Sequence, residues 1–155
     1  MNKTPLVTLV ALVALIAGCG GDDKTTSDET KTVSKTEFIE QGDGICKRSI
    51  KRIEIESEEF AEDHNFTLKN DHLRKNQLEE LYAEVLAPSL NRQADELDAL
   101  RAPKGDEQQV EEIVVSLQSV AGEIEEDPSR AIPDGVMDEP HELAADYGFK
   151  VCGVE

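Results

Sequence analysis

The chain has 155 residues, enough for one domain with a single core. It carries 34 acidic and 16 basic side chains, a formal net charge of −18. This charge argues against nucleic acid as a partner, and against adhesion of the side chains to anionic lipid, because both are bound by Lys and Arg. With four Phe, two Tyr and no Trp, the core should be thin and aliphatic.

The first 18 residues have the pattern of an export signal. Lys3 supplies a positive charge, and residues 5–18 form an apolar or small run. Because a helix needs about 20 residues to cross a bilayer core, a retained transmembrane helix is disfavoured. The run ends in Ile16-Ala17-Gly18-Cys19, a branched apolar residue and two small residues before a cysteine.

These last four residues resemble the lipobox of bacterial lipoproteins. The resemblance implies that residues 1–18 are removed as a signal peptide and that the Cys19 thiol carries a diacylglycerol. It also implies an acyl chain such as palmitate on the new amino terminus. The protein would then be held by lipid on the extracytoplasmic face of the cell membrane. The alternative is an ordinary secretory signal cut elsewhere, which would leave Cys19 as a free thiol.

A polar spacer follows the signal. Residues 20–36 contain one branched apolar residue, Val33, among small, hydroxyl and charged side chains. Such a segment cannot bury enough apolar surface to fold, so residues 19–36 are expected to form a flexible tether. A coil of this length spans about 20–25 Å, more than the Debye length of about 8 Å. It would separate the acidic body from an anionic surface, although a linker without a selected role is an equal alternative.

Beyond the tether, apolar residues recur at spacings of three and four, which predicts amphipathic helices and not strands. The first helix opens at Ser34–Glu37, a capping-box pattern, and should run to about Glu62. The second has the strongest periodicity, over Leu78–Leu100. Pro88 lies inside this pattern and predicts either a kink or a break.

Two further helices are expected. One should begin at Asp106-Glu107, whose carboxylates suit the positive end of a helix dipole, and should end before Asp127-Pro128. A short turn is predicted at Ser129–Ile132. A final short helix should run from about Glu139 to Tyr147, with Gly148 as its C-terminal cap.

Together these segments predict an all-α fold, a small antiparallel bundle of three long helices and one short C-terminal helix over residues 37–155. Once Cys19 is lipidated, Cys46 and Cys152 are an even pair, and such pairs usually oxidise outside the cytoplasm. We therefore predict one disulfide between the first helix and the C-terminal tail, across 106 residues. Two free buried thiols are the alternative.

Signs of catalytic or metal chemistry are sparse. His141-Glu142 opens like the zinc-protease pattern HExxH, but Ala145 stands where the second histidine ligand belongs. His64 and His72 flank a loop and are expected to be solvated. The sequence does not show which carboxylate would be desolvated for acid–base work, and the segments Asp134-Gly135 and Asp138-Glu139 lack the oxygen spacing of a calcium loop, which leaves calcium as a weak alternative. We expect no catalytic residue, no metal or cofactor, and no enzymatic activity.

The order of features in the body is also similar to that of small, uncharacterised helical lipoproteins of actinobacteria. The matching features are the lipobox and spacer, Ile45-Cys46 on an opening helix, Leu97-x-x-Leu100-x-x-Pro103, and Ala145-x-Tyr147-Gly148-x-x-x-Cys152. Because that group has no assigned activity, the resemblance implies a fold, a disulfide and a location, and no mechanism.

Two functions are in view. The first is an interaction or structural module that engages another envelope protein or the cell wall, as an exposed apolar stripe would favour. The alternative is a ligand-binding accessory with a groove between helices, opened at Pro88, for a small cationic or apolar ligand. A concave pocket with convergent polar groups would favour the alternative.

Overall fold

The computed structural model describes residues 33–69, 73–132 and 135–153. Over these ranges the backbone is helical, without a β-strand. The helices are α1 (Lys35–Asp63), α2 (Lys75–Leu81), α3 (Ala87–Asp98), α4 (Glu107–Glu126) and α5 (Asp138–Tyr147). A π-helical segment, Tyr82–Leu86, joins α2 to α3, and a 3-10 turn, Pro128–Ala131, follows α4. The predicted all-α bundle is confirmed, with α2, the π segment and α3 as its second long helix.

A capping box begins the first helix. The Ser34 hydroxyl accepts a hydrogen bond from the Glu37 backbone N–H at 3.2 Å, and the Glu37 carboxylate accepts one from the Ser34 N–H at 3.1 Å. This capping box starts α1 at Lys35, and Val33 already packs against the core. The cap therefore orders residues 33–36, which lie directly before α1 and in its first turn.

The helix continues through Pro88. The Ala87 backbone N–H donates to the Tyr82 carbonyl, five residues back, in place of the usual four. A proline inside an α-helix removes one N–H, and its ring collides with the carbonyl four residues earlier. Since a π turn is wider than an α turn, this local change accommodates Pro88 without ending the helix.

Helices α3 and α4 form the centre of the bundle. They pack against each other, α1 packs on α3, and α5 packs on α4. The largest side chains that are fully buried in this core are aliphatic or aromatic: Phe38, Leu90, Leu97 and Ile124. A smaller cluster of Phe60, Leu81 and Val85 covers the junction of α1 and the π segment.

The short helix α5 is anchored by aromatic side chains and ends as the sequence predicts. The Tyr147 ring meets the Phe38 ring edge-on at 5.9 Å between centroids, and the Phe149 ring lies 5.4 Å from Tyr147. Gly148, with φ +117°, caps the helix in the left-handed region. In the part of the chain that the structure describes, no helix has the length and apolar character needed to cross a membrane.

Candidate apolar cleft

A disulfide ties the C-terminal tail to α1. Cys46, about one turn after Gly42 on α1, is bonded to Cys152, with 5.3 Å between the two Cα atoms. The pairing predicted for these two cysteines is therefore present. Cys19 and its proposed lipid lie outside the described residues.

A carboxylate strengthens the same junction. Asp43, on α1, accepts hydrogen bonds from the backbone N–H groups of Lys150 at 2.9 Å and Val151 at 2.7 Å, with a longer contact to Cys152 at 3.4 Å. One charged acceptor thus holds three successive amides of the tail. We call the contacts of Gly42, Asp43 and Cys46 with residues 149–152 the tail clasp.

The tail clasp depends on a close approach at Gly42. A Cβ atom placed on this residue would overlap the Phe149 ring and would lie 3.2 Å from Leu97. The missing side chain therefore lets the tail lie directly on α1.

A cleft of about 600 Å³ opens beside the tail clasp. Helices α1 and α5 supply its two sides, α3 and α4 its floor, and the tail one end. Among the described residues, α1 and α5 do not pack substantially on each other, which leaves this gap between them. The lining residues are Cys46, Ile50, Ile53, Leu86, Leu90, Gln93, Leu97, Ile113, Leu117, Met137, Pro140, His141, Ala144, Lys150, Val151 and Cys152.

The lining is mostly apolar, with three polar side chains. The Gln93 side-chain amide donates to the Cys46 sulfur at 3.3 Å, so it faces the disulfide in the wall. Within the described ranges, the side chains of His141 and Lys150 have no ion-pair or hydrogen-bond partner, and no carboxylate lines the cleft. Ile50 stands at the lip, 56% exposed.

A polar seam on the other side of α1 fixes the first wall. Arg92 pairs with the Glu56 carboxylate at 2.6 Å, and Ser89 donates to the same carboxylate at 3.2 Å. One turn along, Glu96 pairs with Arg48 and Arg52 at 3.1 and 3.4 Å. Each pair is partly exposed and contributes little alone, but the series holds α1 in register on α3.

The histidines of the described ranges lie apart from other metal-binding side chains. Within the described ranges, no group of three or more His, Cys, Asp or Glu side chains is placed to hold a metal ion. His64 is exposed, its ring stacks on the Phe60 ring at 3.9 Å between centroids, and its Nδ1 lies 2.9 Å from the Phe60 carbonyl at the end of α1. His72 lies outside the described residues.

A comparison of the chain with protein-family models, with curated proteins and with solved structures gives no match. Sequence reasoning found the disulfide of the cleft wall but missed Asp43 and Lys150. Neither residue carries a local signal, since Asp43 is one of 34 acidic residues and Lys150 one of 16 basic ones.

Proposed function

We propose that this chain is a lipid-anchored, extracytoplasmic binding protein whose cleft takes a small molecule with an apolar body. The cleft between α1 and α5 carries the proposal. Its volume of about 600 Å³ lies within the range of about 300–1,000 Å³ that is usual for ligand sites, and its lining has the usual composition, apolar with a few polar groups.

The charge of the lining supports an apolar or anionic ligand over a cation. Lys150 and His141 are the side chains of the lining that are basic, and the described lining has no carboxylate to balance a bound cation. The cationic ligand considered from the sequence is therefore not part of this proposal.

The tail clasp supports a cleft that is preformed in the absence of ligand. The disulfide and the Asp43 carboxylate both hold the tail against α1, and the polar seam holds α1 against α3. Walls fixed in this way lose little conformational freedom on binding, which favours affinity for a small ligand.

The proposed location rests on the lipobox. Two or three acyl chains on Cys19 would hold the protein firmly, since each buried methylene contributes about 0.8 kcal/mol and one chain alone binds only marginally. The tether expected over residues 19–36 would leave the cleft accessible outside the membrane. We propose no catalytic step.

The binding experiment uses the full chain carrying Cys19→Ala, purified without detergent so that neither detergent nor its own lipid competes. Calorimetric titration with hexanol, octanol and decanol should give affinities that rise up to about fourfold per added methylene, equivalent to about 0.8 kcal/mol. Ile50→Asp, at the cleft lip, should weaken decanol binding by at least about tenfold. Ile55→Asp is the matched control, because Ile55 is 45% exposed on the same helix and does not line the cleft.

Three results would overturn this function: no binding of any alcohol, affinity that does not depend on chain length, or equal effects of the two aspartate variants. Circular dichroism of both variants checks that each keeps the helical fold.

A second candidate is an interaction module, which a different surface favours. Val115 is 52% exposed in a hollow of about 540 Å³ between α4 and α5 that is also lined by Glu111, Glu112 and Glu139. We propose a basic segment of another envelope protein as its occupant. A photocrosslinker at position 115 should then capture one partner in intact membranes, and Glu112→Lys should abolish the crosslink. A crosslink that survives this charge reversal would contradict the candidate.

A further inference from the structure

We infer that the cleft selects a long-chain carboxylate, with the alkyl chain between α1 and α5 and the carboxylate at Lys150. This inference deepens the proposed function and rests on it. The inference specifies the head group of the ligand, whereas the proposed function requires only that the ligand has an apolar body.

The first observation is the distribution of acidic residues. Three other surface hollows, of about 540, 460 and 210 Å³, are each lined by at least two glutamates. The larger cleft has no carboxylate among its described lining residues, in a chain with 34 acidic side chains. An anionic head group would therefore meet at least two carboxylates at each of these hollows, beside Arg48 or Lys69 in the two smaller ones, and none along the described walls of this cleft.

The second observation is the setting of Lys150. Its backbone N–H is held by Asp43 at 2.9 Å, two residues before the disulfide, so the base of this exposed side chain is fixed at the end of the cleft that the tail lines. Its ammonium group has no partner among the described residues. The Asp43 carboxylate accepts hydrogen bonds from backbone amides and forms no ion pair with that ammonium.

The polar groups suit a monoanion. An ammonium group can pair with a carboxylate, and the His141 ring and the Gln93 amide, which also line the cleft, offer N–H donors for its second oxygen. A phosphate ester carries more charge and is usually bound by several cations or by arginine forks, and no arginine lines the described cleft. A carboxylate is therefore favoured over a phosphate.

The test compares four ligands that share a ten-carbon chain: decanoate, decanol, decyl phosphate and decyltrimethylammonium. Each is titrated calorimetrically at low salt, near pH 8, into the full chain carrying Cys19→Ala. Decanoate should bind at least about tenfold more tightly than decyltrimethylammonium, and this preference should fall as salt is added. Lys150→Gln should weaken decanoate binding about three- to fivefold and leave decanol binding unchanged. Lys104→Gln is the control, because it removes the same single positive charge at an exposed lysine outside the cleft.

The outcomes separate the two proposals. If decanol does not bind, the proposed function fails and the inference fails with it. If decanol binds but decanoate shows no advantage over the cation, or if Lys150→Gln and Lys104→Gln act equally, the carboxylate inference alone is overturned. Tighter binding of decyl phosphate than of decanoate would also overturn it, in favour of a phosphate head group.

Discussion

At the scale of single residues, Gly42 determines how closely the tail can approach α1. Inside a helix, alanine is normally more stable than glycine by about 0.5–1 kcal/mol, because glycine loses more backbone freedom on folding. At Gly42 that gain is opposed by the overlap of a Cβ atom with the Phe149 ring. The two effects change the free energy of unfolding in opposite directions, so the Gly42→Ala substitution shows which is larger.

We predict that Gly42→Ala lowers the free energy of unfolding by about 1–3 kcal/mol, the usual cost of overpacking. Gly122→Ala is the matched control, because a Cβ atom there meets nothing within 4 Å on the same kind of helical backbone. It should raise the free energy of unfolding by about 0.5–1 kcal/mol. Urea unfolding measures both variants, and a Gly42→Ala protein as stable as the Gly122→Ala protein would contradict the tight contact.

Tyr147 gives the fold a dependence on alkaline pH. Burial raises the pKa of the Tyr147 phenol, and its hydrogen bond to Asp106, at 2.9 Å, raises this pKa further. Because the pKa in the folded state exceeds the unfolded value of about 10, the protonated phenol stabilises the fold below about pH 10. That contribution is lost as the pH rises further.

Two measurements check this prediction. In Tyr82→Phe, where Tyr147 is the last tyrosine, absorbance should report ionisation well above pH 10. Between about pH 9 and about pH 11, Tyr147→Phe should lose less stability than the unsubstituted protein. A spectroscopic midpoint near pH 10 would show that the phenol is not held in its neutral form.

At the scale of helices, local signals predicted most of the fold. Such signals act within one helical turn and can therefore be predicted from neighbouring residues. Examples are the capping box at Ser34, the proline after Asp127 and the glycine at position 148. The cap pattern overlaps residues 19–36, the segment expected to form the tether. The start of α2 precedes the first periodic leucine, Leu78, by three residues, since its first turn is polar.

Features that depend on tertiary packing were not predictable in the same way. The sequence showed that Pro88 interrupts a helical pattern. Whether the helix kinks, breaks or forms a π turn at this proline depends on what packs around the helix. The cleft arises because α1 and α5 pack on different central helices, and no periodicity in either helix contains that information. The cysteine pair was predictable, since pairing depends on redox compartment and on number.

The junction of α1 and the tail should contribute strongly to stability. We predict that Cys152→Ser lowers the free energy of unfolding by about 2–4.7 kcal/mol, the upper value being the chain-entropy estimate for a loop of this length. Asp43 should still retain part of the tail contact, so amide exchange at residues 150–152 should accelerate further in Cys152→Ser combined with Asp43→Ala. Equal exchange in the two variants would mean that the carboxylate does not hold the tail.

At the scale of the whole molecule, the sequence predicts a protein fixed to a membrane by lipid and not by its own side chains. Cleavage before Cys19 would leave 15 basic and 34 acidic residues, a net charge of −19, which disfavours electrostatic adhesion to anionic lipid. We therefore predict that the protein stays with membranes in high salt, because acyl chains hold it there.

Mass spectrometry of the protein recovered from membranes should find Cys19 as the first residue, with a diacylglycerol on its sulfur. Cys19→Ala should lack that added mass and should be lost from the salt-washed membrane. A bare thiol at Cys19, on a cytosolic chain that retains residues 1–18, would contradict the anchor.

The binding cleft is the central claim, and methyl NMR of the protein with decanol tests it most directly. Decanol is neutral, so the result is independent of the head group inferred for the natural ligand. The account predicts that the methyl signals of Ile53, Leu90 and Leu117, which line the cleft, shift on titration while those of Ile55 and Val115 do not. Shifts centred on Val115, or none at the cleft methyls at saturating decanol, would contradict it.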